Sequence, residues 1–263
     1  MIFAAQNWSR IRIIYLIFHK RGFILSSLRQ NEDIFDSKAK SIKNIQKIKI
    51  IFWGCTLSGK TTALDTLYKI TVNNNDDIFL VGKLTKIAMR SGATLYFDRV
   101  TFDFKSKNGI NLHLFTVAGQ TRFRPLREKV FEGADGIIFV VDSQRSSLEA
   151  NVSSLKELKL IAGKKLIRDI PVVFMINKRD LEDKISVREW KSILYKEGLL
   201  FDQDHPYFLK NPAIFETVSL YHKNENIYRV FNEISRRCIL NLRYDDWIIK
   251  LFKKNDDGEK IQI

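Results

Sequence analysis

Apolar residues recur along positions 47–242 in two alternating periods. Short β-branched runs, typical of strands, mostly precede segments whose apolar residues return every three or four positions, as on one helix face. The runs at 135–143 and 170–177 are apolar almost throughout, which is typical of strands covered on both faces. The pattern predicts strands at 47–53, 95–104, 110–117, 135–143, 170–177 and 213–219, and helices at 60–70, 146–162, 187–198 and 225–242.

This alternation predicts an α/β fold of three layers, with a mostly parallel sheet between two layers of helices. The turn KSKNG at 105–109 joins two strand patterns directly and predicts one antiparallel hairpin at the edge of the sheet. The alternation covers residues 47–242, which we interpret as the main domain. Residues 1–46 and 243–263 lie outside it as an N-terminal and a C-terminal extension.

The N-terminal extension is basic and allows three interpretations. Residues 1–50 hold a net charge of +7, half of the +14 of the chain. The stretch 10–28 has the pattern of a β-hairpin, followed at 36–48 by a basic linker helix. A basic membrane-surface segment and a wrongly chosen start codon are the alternatives. The C-terminal extension has an apolar centre, which favours docking on the domain or binding of a partner.

Composition limits the classes of function. The two cysteines and four scattered histidines predict a reducing compartment without disulfides, and they show no metal-ligand spacing. The apolar run at 13–18 is too short to span a bilayer and lacks a following cleavage site. We therefore expect a cytoplasmic protein with peripheral contact to an anionic membrane as an option. No nucleic-acid module accompanies the positive charge, so no specific nucleic-acid binding is expected.

The first chemical motif is GCTLSGKT at 54–61, between a predicted strand and a predicted helix. Glycines at both ends let backbone amides curl around phosphate oxygens, and the helix N-terminus adds a positive dipole. Lys60 can reach the β- and γ-phosphates, and Thr61 can ligate Mg²⁺. The predicted phosphate-binding residues of this loop are Gly54, Leu57, Ser58, Gly59, Lys60, Thr61 and Thr62.

The second motif is NKRD at 177–180, at the end of an apolar strand. Asp180 can accept hydrogen bonds from both N–H groups on the edge of guanine, which adenine does not offer. Asn177 can brace the pocket, and the stem of Lys178 can cover the base. Alone the tetrapeptide is an ordinary polar turn, but both motifs fall at the carboxyl ends of strands, where such sheets bind ligands.

A third motif, TVAGQ at 116–120, follows the second strand of the predicted hairpin. Gly119 can offer its backbone amide to a γ-phosphate, and Gln120 can orient an attacking water. A simple turn at the end of a strand is the alternative interpretation.

Together these segments resemble the Ras-like small GTPases, in particular the prokaryotic MglA-type group, with Arf-like features. The resemblance is carried by GCTLSGKTT, LFTVAGQ, GADGIIFVVDSQ and INKRDL. It implies GTP or GDP as ligand, Mg²⁺ as cofactor, and activating and effector proteins as partners. It further implies that Thr94 closes over Mg²⁺ and that Val218 or Ser219 contacts guanine. The hairpin interpretation of the N-terminus is similar to the opening of longin or roadblock modules, which often accompany small GTPases.

Two positions depart from the pattern of these families. Thr116 stands where Ras-like proteins have an aspartate, and Ala93 stands where the MglA pattern has an arginine. MglA-like proteins share the feature at Thr116, whereas the missing arginine at Ala93 implies a GTP-binding switch whose hydrolysis is slow and stimulated by a partner. A nucleotide-holding scaffold with negligible turnover is the alternative. A P-loop ATPase or kinase would leave NKRD without a purpose.

Overall fold

A single mixed sheet runs through the described part of the chain. The computed structural model describes residues 46–73, 78–80, 85–87, 97–104, 110–117 and 124–256. Within these ranges the strands are β1 (Gln46–Trp53), β2 (Ile78–Leu80), β3 (Thr85–Ile87), β4 (Phe97–Phe104), β5 (Ile110–Thr116), β6 (Gly136–Asp142), β7 (Val172–Asn177) and β8 (Ala213–Glu216).

Five neighbouring strands, in the order β5-β1-β6-β7-β8, run parallel to one another. Beyond β5 the sheet continues with β4, which is antiparallel to β5 and also pairs with β2 and β3. The predicted α/β class with a mostly parallel sheet is therefore confirmed. The turn at 105–109 lies outside the described residues, so the edge hairpin stays a prediction.

Helices cover both faces of the sheet. They are α1 (Lys60–Asn73), α2 (Arg124–Phe131), α3 (Leu148–Ala162), α4 (Val187–Lys196) and α5 (Ile227–Asp256). The strand β1 shows how the two layers form, because its side chains alternate between faces. Ile50 and Phe52 pack in one core with α1 and α5, whereas Ile51 and Trp53 pack in a second core with α2, α3 and α4.

The central strands are buried on both faces, as their apolar runs predict. Every residue of β6 and of β7 is buried. Phe139, Phe174 and Trp190 join these strands to α4, with ring centroids 5.4 to 6.1 Å apart. Truncating such a side chain to alanine typically costs about 3–5 kcal/mol, so this cluster is a main anchor of the sheet.

The sequence pattern missed or misplaced several elements. The strands β2 and β3 have three residues each and are too short to show a period. The last helix does not end at 242, as predicted, but continues to Asp256. No glycine or proline interrupts the chain between residue 242 and Gly258, and an established helix propagates until a residue stops it.

The carboxyl ends of the parallel strands place polar residues at one edge of the sheet. Trp53 is followed there by the glycine motif, Asp142 ends β6, and Asn177 ends β7. All described residues belong to one compact unit, Ile45–Ile263. None of the helices described is long and apolar enough to cross a membrane.

Candidate functional site: a phosphate loop and a base-side cavity

The glycine motif forms a tight loop between β1 and α1. Gly54 and Gly59 have backbone φ angles of +142° and +101°, which residues with a side chain rarely adopt. A Cβ added at Gly54 would lie 2.2 Å from the carbonyl oxygen of Val140, and one at Gly59 would lie 2.2 Å from Nδ2 of Asn177. The loop therefore needs glycine at both positions to sit this close to β6 and β7.

Lys60 is enclosed by this loop. Its side chain is buried, and Nζ donates to the carbonyl oxygens of Gly54 at 3.0 Å and Cys55 at 2.5 Å. Burial lowers the pKa of Lys60 to about 8. A desolvated ammonium beside backbone carbonyls is stabilised by an anion, so its placement fits a phosphate ligand.

The start of α1 faces the same loop. Its first turn holds no acidic side chain that would compete with a bound anion for the positive end of the helix dipole. Thr61 and Thr62 are exposed there, whereas Ser58 is buried. The glycines, the lysine and the helix N-terminus together fit a polyphosphate, and the exposed hydroxyl of Thr61 fits a ligand of Mg²⁺.

Asn177 ties the phosphate loop to the segment after β8. Its Nδ2 donates to the carbonyl oxygen of Ser58 at 2.8 Å, and its Oδ1 accepts from Oγ of Ser219 at 2.7 Å. The carbonyl of Ser219 in turn accepts from Oγ1 of Thr66 on α1 at 2.6 Å. Because Asn177 is buried, these bonds fix three segments to one another with little competition from water.

The rest of the NKRD segment turns away from the strand. Lys178 has a φ of +64°, and its Nζ forms an ion pair with Oδ2 of Asp142 at 2.7 Å. Asp180 is exposed, and no described residue forms a hydrogen bond or ion pair with its carboxylate. That carboxylate is therefore available to a ligand.

A cavity of about 240 Å³ lies between the two motifs. It brings together three of the seven predicted phosphate-loop residues and all three predicted residues of the NKRD segment. The other four predicted loop residues are not among its lining residues: Gly54, Ser58, Lys60 and Thr61. Ser219 also lines it, whereas Val218 is not among the lining residues and its backbone pairs with Glu225. The lining residues are Leu57, Gly59, Thr62, Asn177, Lys178, Asp180, Leu181, Ser219 and Leu220.

The structure does not describe three of the predicted site residues. Thr94, Gly119 and Gln120 lie outside the described residues, so their roles stay predictions. Thr116 ends β5 next to Phe52 of β1 and is buried. Among the described residues, no group of three or more His, Cys, Asp or Glu could hold a metal ion. The expectation of Mg²⁺ therefore rests on Thr61 and on phosphate oxygens.

Sequence reasoning missed the polar residues that support the site from behind. Asp142 is the last residue of the buried strand β6, Ser143 follows it, and Asn151 lies on α3. Each is buried and hydrogen-bonded to a residue of one of the two motifs, either Cys55 or Lys178. The sequence did contain one signal for them. Polar residues stand at the end of an apolar strand, and the carboxyl end of that strand lies at the same edge of the sheet as the two motifs.

This site, on a parallel sheet covered by helices on both faces, is that of a P-loop nucleotide-binding protein. The family model described as "ADP-ribosylation factor family" matches residues 35–230. The chain is also 34% identical over 150 residues to the mutual gliding-motility protein MglA of Myxococcus xanthus (strain DK1622). That alignment covers 56% of this chain and 74% of the relative.

The chain belongs to the ADP-ribosylation factor family and is a small GTPase related to MglA. Membership confirms the resemblance seen in the motifs and identifies the nucleotide as GTP or GDP, with GTP hydrolysis as the general activity. Proteins of this kind usually bind Mg²⁺ with the nucleotide, which agrees with the exposed hydroxyl of Thr61.

Proposed function

We propose that the chain is a GTP-dependent switch whose own GTP hydrolysis is slow and is accelerated by a partner protein. The observation that supports nucleotide binding is the position of Asn177, which joins the phosphate loop at Ser58 to the segment after β8 at Ser219. One nucleotide in the adjoining cavity would contact both the phosphate loop and the segment at Ser219. Ordering of loops by GTP and their release on hydrolysis is the means by which such proteins signal.

In this proposal the phosphates lie against Lys60 and the amides at the start of α1, and Thr61 faces Mg²⁺. The metal neutralises charge on the phosphates when it is bound. Three residues beyond the described ranges complete the site: Thr94 also faces the metal, Gly119 binds the γ-phosphate, and Gln120 orients the attacking water.

Guanine selection is tested by comparing GDP with ADP. A site that hydrogen-bonds a substrate group rejects analogues without it by roughly 10⁴ or more. We expect the unmutated protein to show such a preference and Asp180→Ala to lose most of it in a calorimetric binding assay. Asp183→Ala is the matched control, because Asp183 lies in the same loop and is exposed, and its ion-pair partner is Arg145. Equal affinity of the unmutated protein for GDP and ADP would contradict the proposal.

Slow hydrolysis is tested in single-turnover assays. Small GTPases that lack an arginine in cis hydrolyse GTP at about 10⁻⁴ s⁻¹, and an arginine supplied by a partner raises this rate by about 10³–10⁵. Because Ala93 replaces the arginine of the MglA pattern, we expect the isolated protein to fall in this slow range. Gln120→Leu should slow it further with little change in GTP affinity. A fast isolated enzyme would shift the chemistry to another residue, with Arg90 the first to test.

The alternative function is a nucleotide-holding scaffold with negligible turnover. Thr116 favours it, because this residue stands where Ras-like proteins have an aspartate and its side chain is buried at the end of β5. Release of phosphate over many turnovers, with and without candidate partners, separates the two functions. A switch completes repeated cycles once its partner is present, whereas a scaffold does not.

We further propose that residues 1–46 recognise a partner or a surface, and that 47–242 is the GTPase domain. The net charge of +7 over residues 1–50 favours an acidic counterpart. Activating and effector proteins, including those of longin or roadblock type, are the proposed protein partners. The proposed location is the cytoplasm, with peripheral contact to anionic membranes.

A further inference from the structure

Asp142, the last residue of β6, lies buried behind the NKRD segment, and the proposed nucleotide contacts do not use it. Its Oδ2 accepts from Nζ of Lys178 at 2.7 Å, and its Oδ1 accepts from the backbone N–H of Gln144 at 3.1 Å. A buried carboxylate is costly unless its oxygens are hydrogen-bonded. Here each oxygen has a donor, so the carboxylate is held in one orientation.

Asn151 on α3 holds the backbone of Asp142 from the other side. Its Oδ1 accepts from the N–H of Asp142 at 3.0 Å, and its Nδ2 donates to the carbonyl oxygen of Asp142 at 2.8 Å. The same Oδ1 also accepts from Sγ of Cys55 in the phosphate loop at 3.2 Å. Asn151 is fully buried, so the position of Asp142 is set by a helix outside the nucleotide cavity.

Lys178 is held at several points. Its Nζ contacts Oδ2 of Asp142 and also Oε1 of Gln144 at 3.3 Å, while its carbonyl oxygen accepts from Oγ of Ser143 at 3.1 Å. Lys178 lines the 240 Å³ cavity, whereas Asp142 and Gln144 are not among its described lining residues. The ammonium is therefore bound away from the lining, and the apolar stem is the part of the side chain left to face a ligand.

We propose that Asp142 is a positioning residue of the guanine site, which anchors the ammonium of Lys178 so that its stem covers the face of the base. This inference rests on the proposed binding of a guanine nucleotide. Asp180 would read the edge of the base, whereas the Asp142–Lys178 pair acts on its face. A contact with the face contributes affinity without distinguishing bases by their edge groups.

The test measures release of GDP and of inosine diphosphate, which lacks the exocyclic amine of guanine, from full-length Asp142→Asn. The amide keeps the shape of the carboxylate but leaves a partly buried ammonium without its counter-charge. We expect both nucleotides to leave about tenfold faster or more, with an unchanged ratio between them. Asp180→Ala, in contrast, should change the ratio.

Asp135→Asn is the matched control. Asp135 lies directly before the same strand, is partly buried, and accepts from the N–H of Lys49 at 2.7 Å, away from the cavity. Its variant should release GDP at the rate of the unmutated protein. Comparable acceleration by both variants would mean that any loss of an aspartate along β6 loosens the site, which would overturn the inference.

Lys178→Met separates positioning from a general structural role. If Asp142 acts through Lys178, Asp142→Asn should add little to the effect of Lys178→Met, so that the two changes are strongly non-additive. Additive effects, or a changed ratio of GDP to inosine diphosphate release in Asp142→Asn, would overturn the proposal. If Asp142→Asn did not fold, Lys178→Met alone would decide, because release at the unmutated rate would show that the anchored stem contributes nothing.

The nucleotide preference of the unmutated protein tests the underlying guanine-binding function. If it did not prefer GDP to ADP, the guanine-binding function itself would fail. If it did prefer GDP, and Asp142→Asn released GDP at the unmutated rate, only the role of Asp142 would be wrong.

Discussion

Lys60 shows how strongly one side chain depends on its surroundings in this site. Its ammonium is bonded to two carbonyls of its own loop and is nearly excluded from water. Burial disfavours the charged form and lowers the pKa to about 8, within reach of ordinary assay conditions. A phosphate at the loop would favour the charged form again, so nucleotide binding and protonation of Lys60 are coupled.

We predict that GDP affinity falls as the pH rises above about 8. Below this pH Lys60 is protonated both with and without nucleotide, so binding takes up no proton there. Above it the free protein loses the proton and binding must restore it, which weakens affinity by at most about tenfold per pH unit. Binding measured from pH 7 to 9.5 checks this against Lys60→Ala, which should bind more weakly but with a flatter profile. Equal slopes of GDP affinity against pH in the unmutated protein and in Lys60→Ala would contradict the coupling of binding to protonation of Lys60.

At the scale of elements, α4 shows how a local signal in the sequence fixes where a helix begins. The helix α4 begins after Ser186, whose Oγ accepts from the N–H of Glu189 at 3.1 Å. Glu189 Oε2 accepts from the N–H of Ser186 at 2.7 Å, which completes a capping box. The hydrogen bond from the Ser186 backbone, followed by that from Arg145, lowers the pKa of Glu189. This cap sets where α4 starts, and thereby places Trp190 in the core.

Ser186→Ala should lower the free energy of unfolding by about 1 kcal/mol, because it removes the acceptor that caps the first turn of α4. GDP affinity should stay unchanged, since the cap is not part of the cavity lining. Chemical denaturation and a binding assay on the same preparation measure the two quantities. Ser153→Ala is the control, because Ser153 is exposed within α3 and should lose no stability. An equal loss of stability in both variants would contradict the capping role.

At the scale of the whole molecule, the hydrogen bonds that hold the site together join segments that are far apart in the chain. Thr66 and Ser219, which share a hydrogen bond, are 153 residues apart. Asn177 reaches back 119 residues to Ser58. The described part of the site is therefore a property of the folded domain and not of any one segment.

A truncated chain that begins near Lys43 should fold and bind GDP as tightly as the full chain. Circular dichroism and calorimetry check folding and binding. Flotation with anionic vesicles then tests the extension, because only the full chain should float if residues 1–42 contact a membrane. A truncated chain that is insoluble and free of nucleotide would show instead that the segment is part of the core.

The sequence alone determined the class of fold and the presence of the two main motifs. Strands buried on both faces carry continuous apolar runs, and the phosphate loop and NKRD are contiguous in the chain, so both are visible without coordinates. The departures at Ala93 and Thr116 are likewise sequence facts. The short strands β2 and β3 and the full length of α5 were not visible, because three residues show no period and no glycine or proline marks the end of α5 before Gly258.

Only the tertiary structure decided how the motifs are held against one another. The sequence offered Val218 and Ser219 equally, and the fold brings Ser219 to the cavity because Asn177 and Thr66 hold it there. The pairing of Asp142 with Lys178 spans 36 residues and two strands. Such bonds join groups that no local pattern relates, since their strength depends on burial and on distances of less than about 3 Å that exist only once the sheet has assembled.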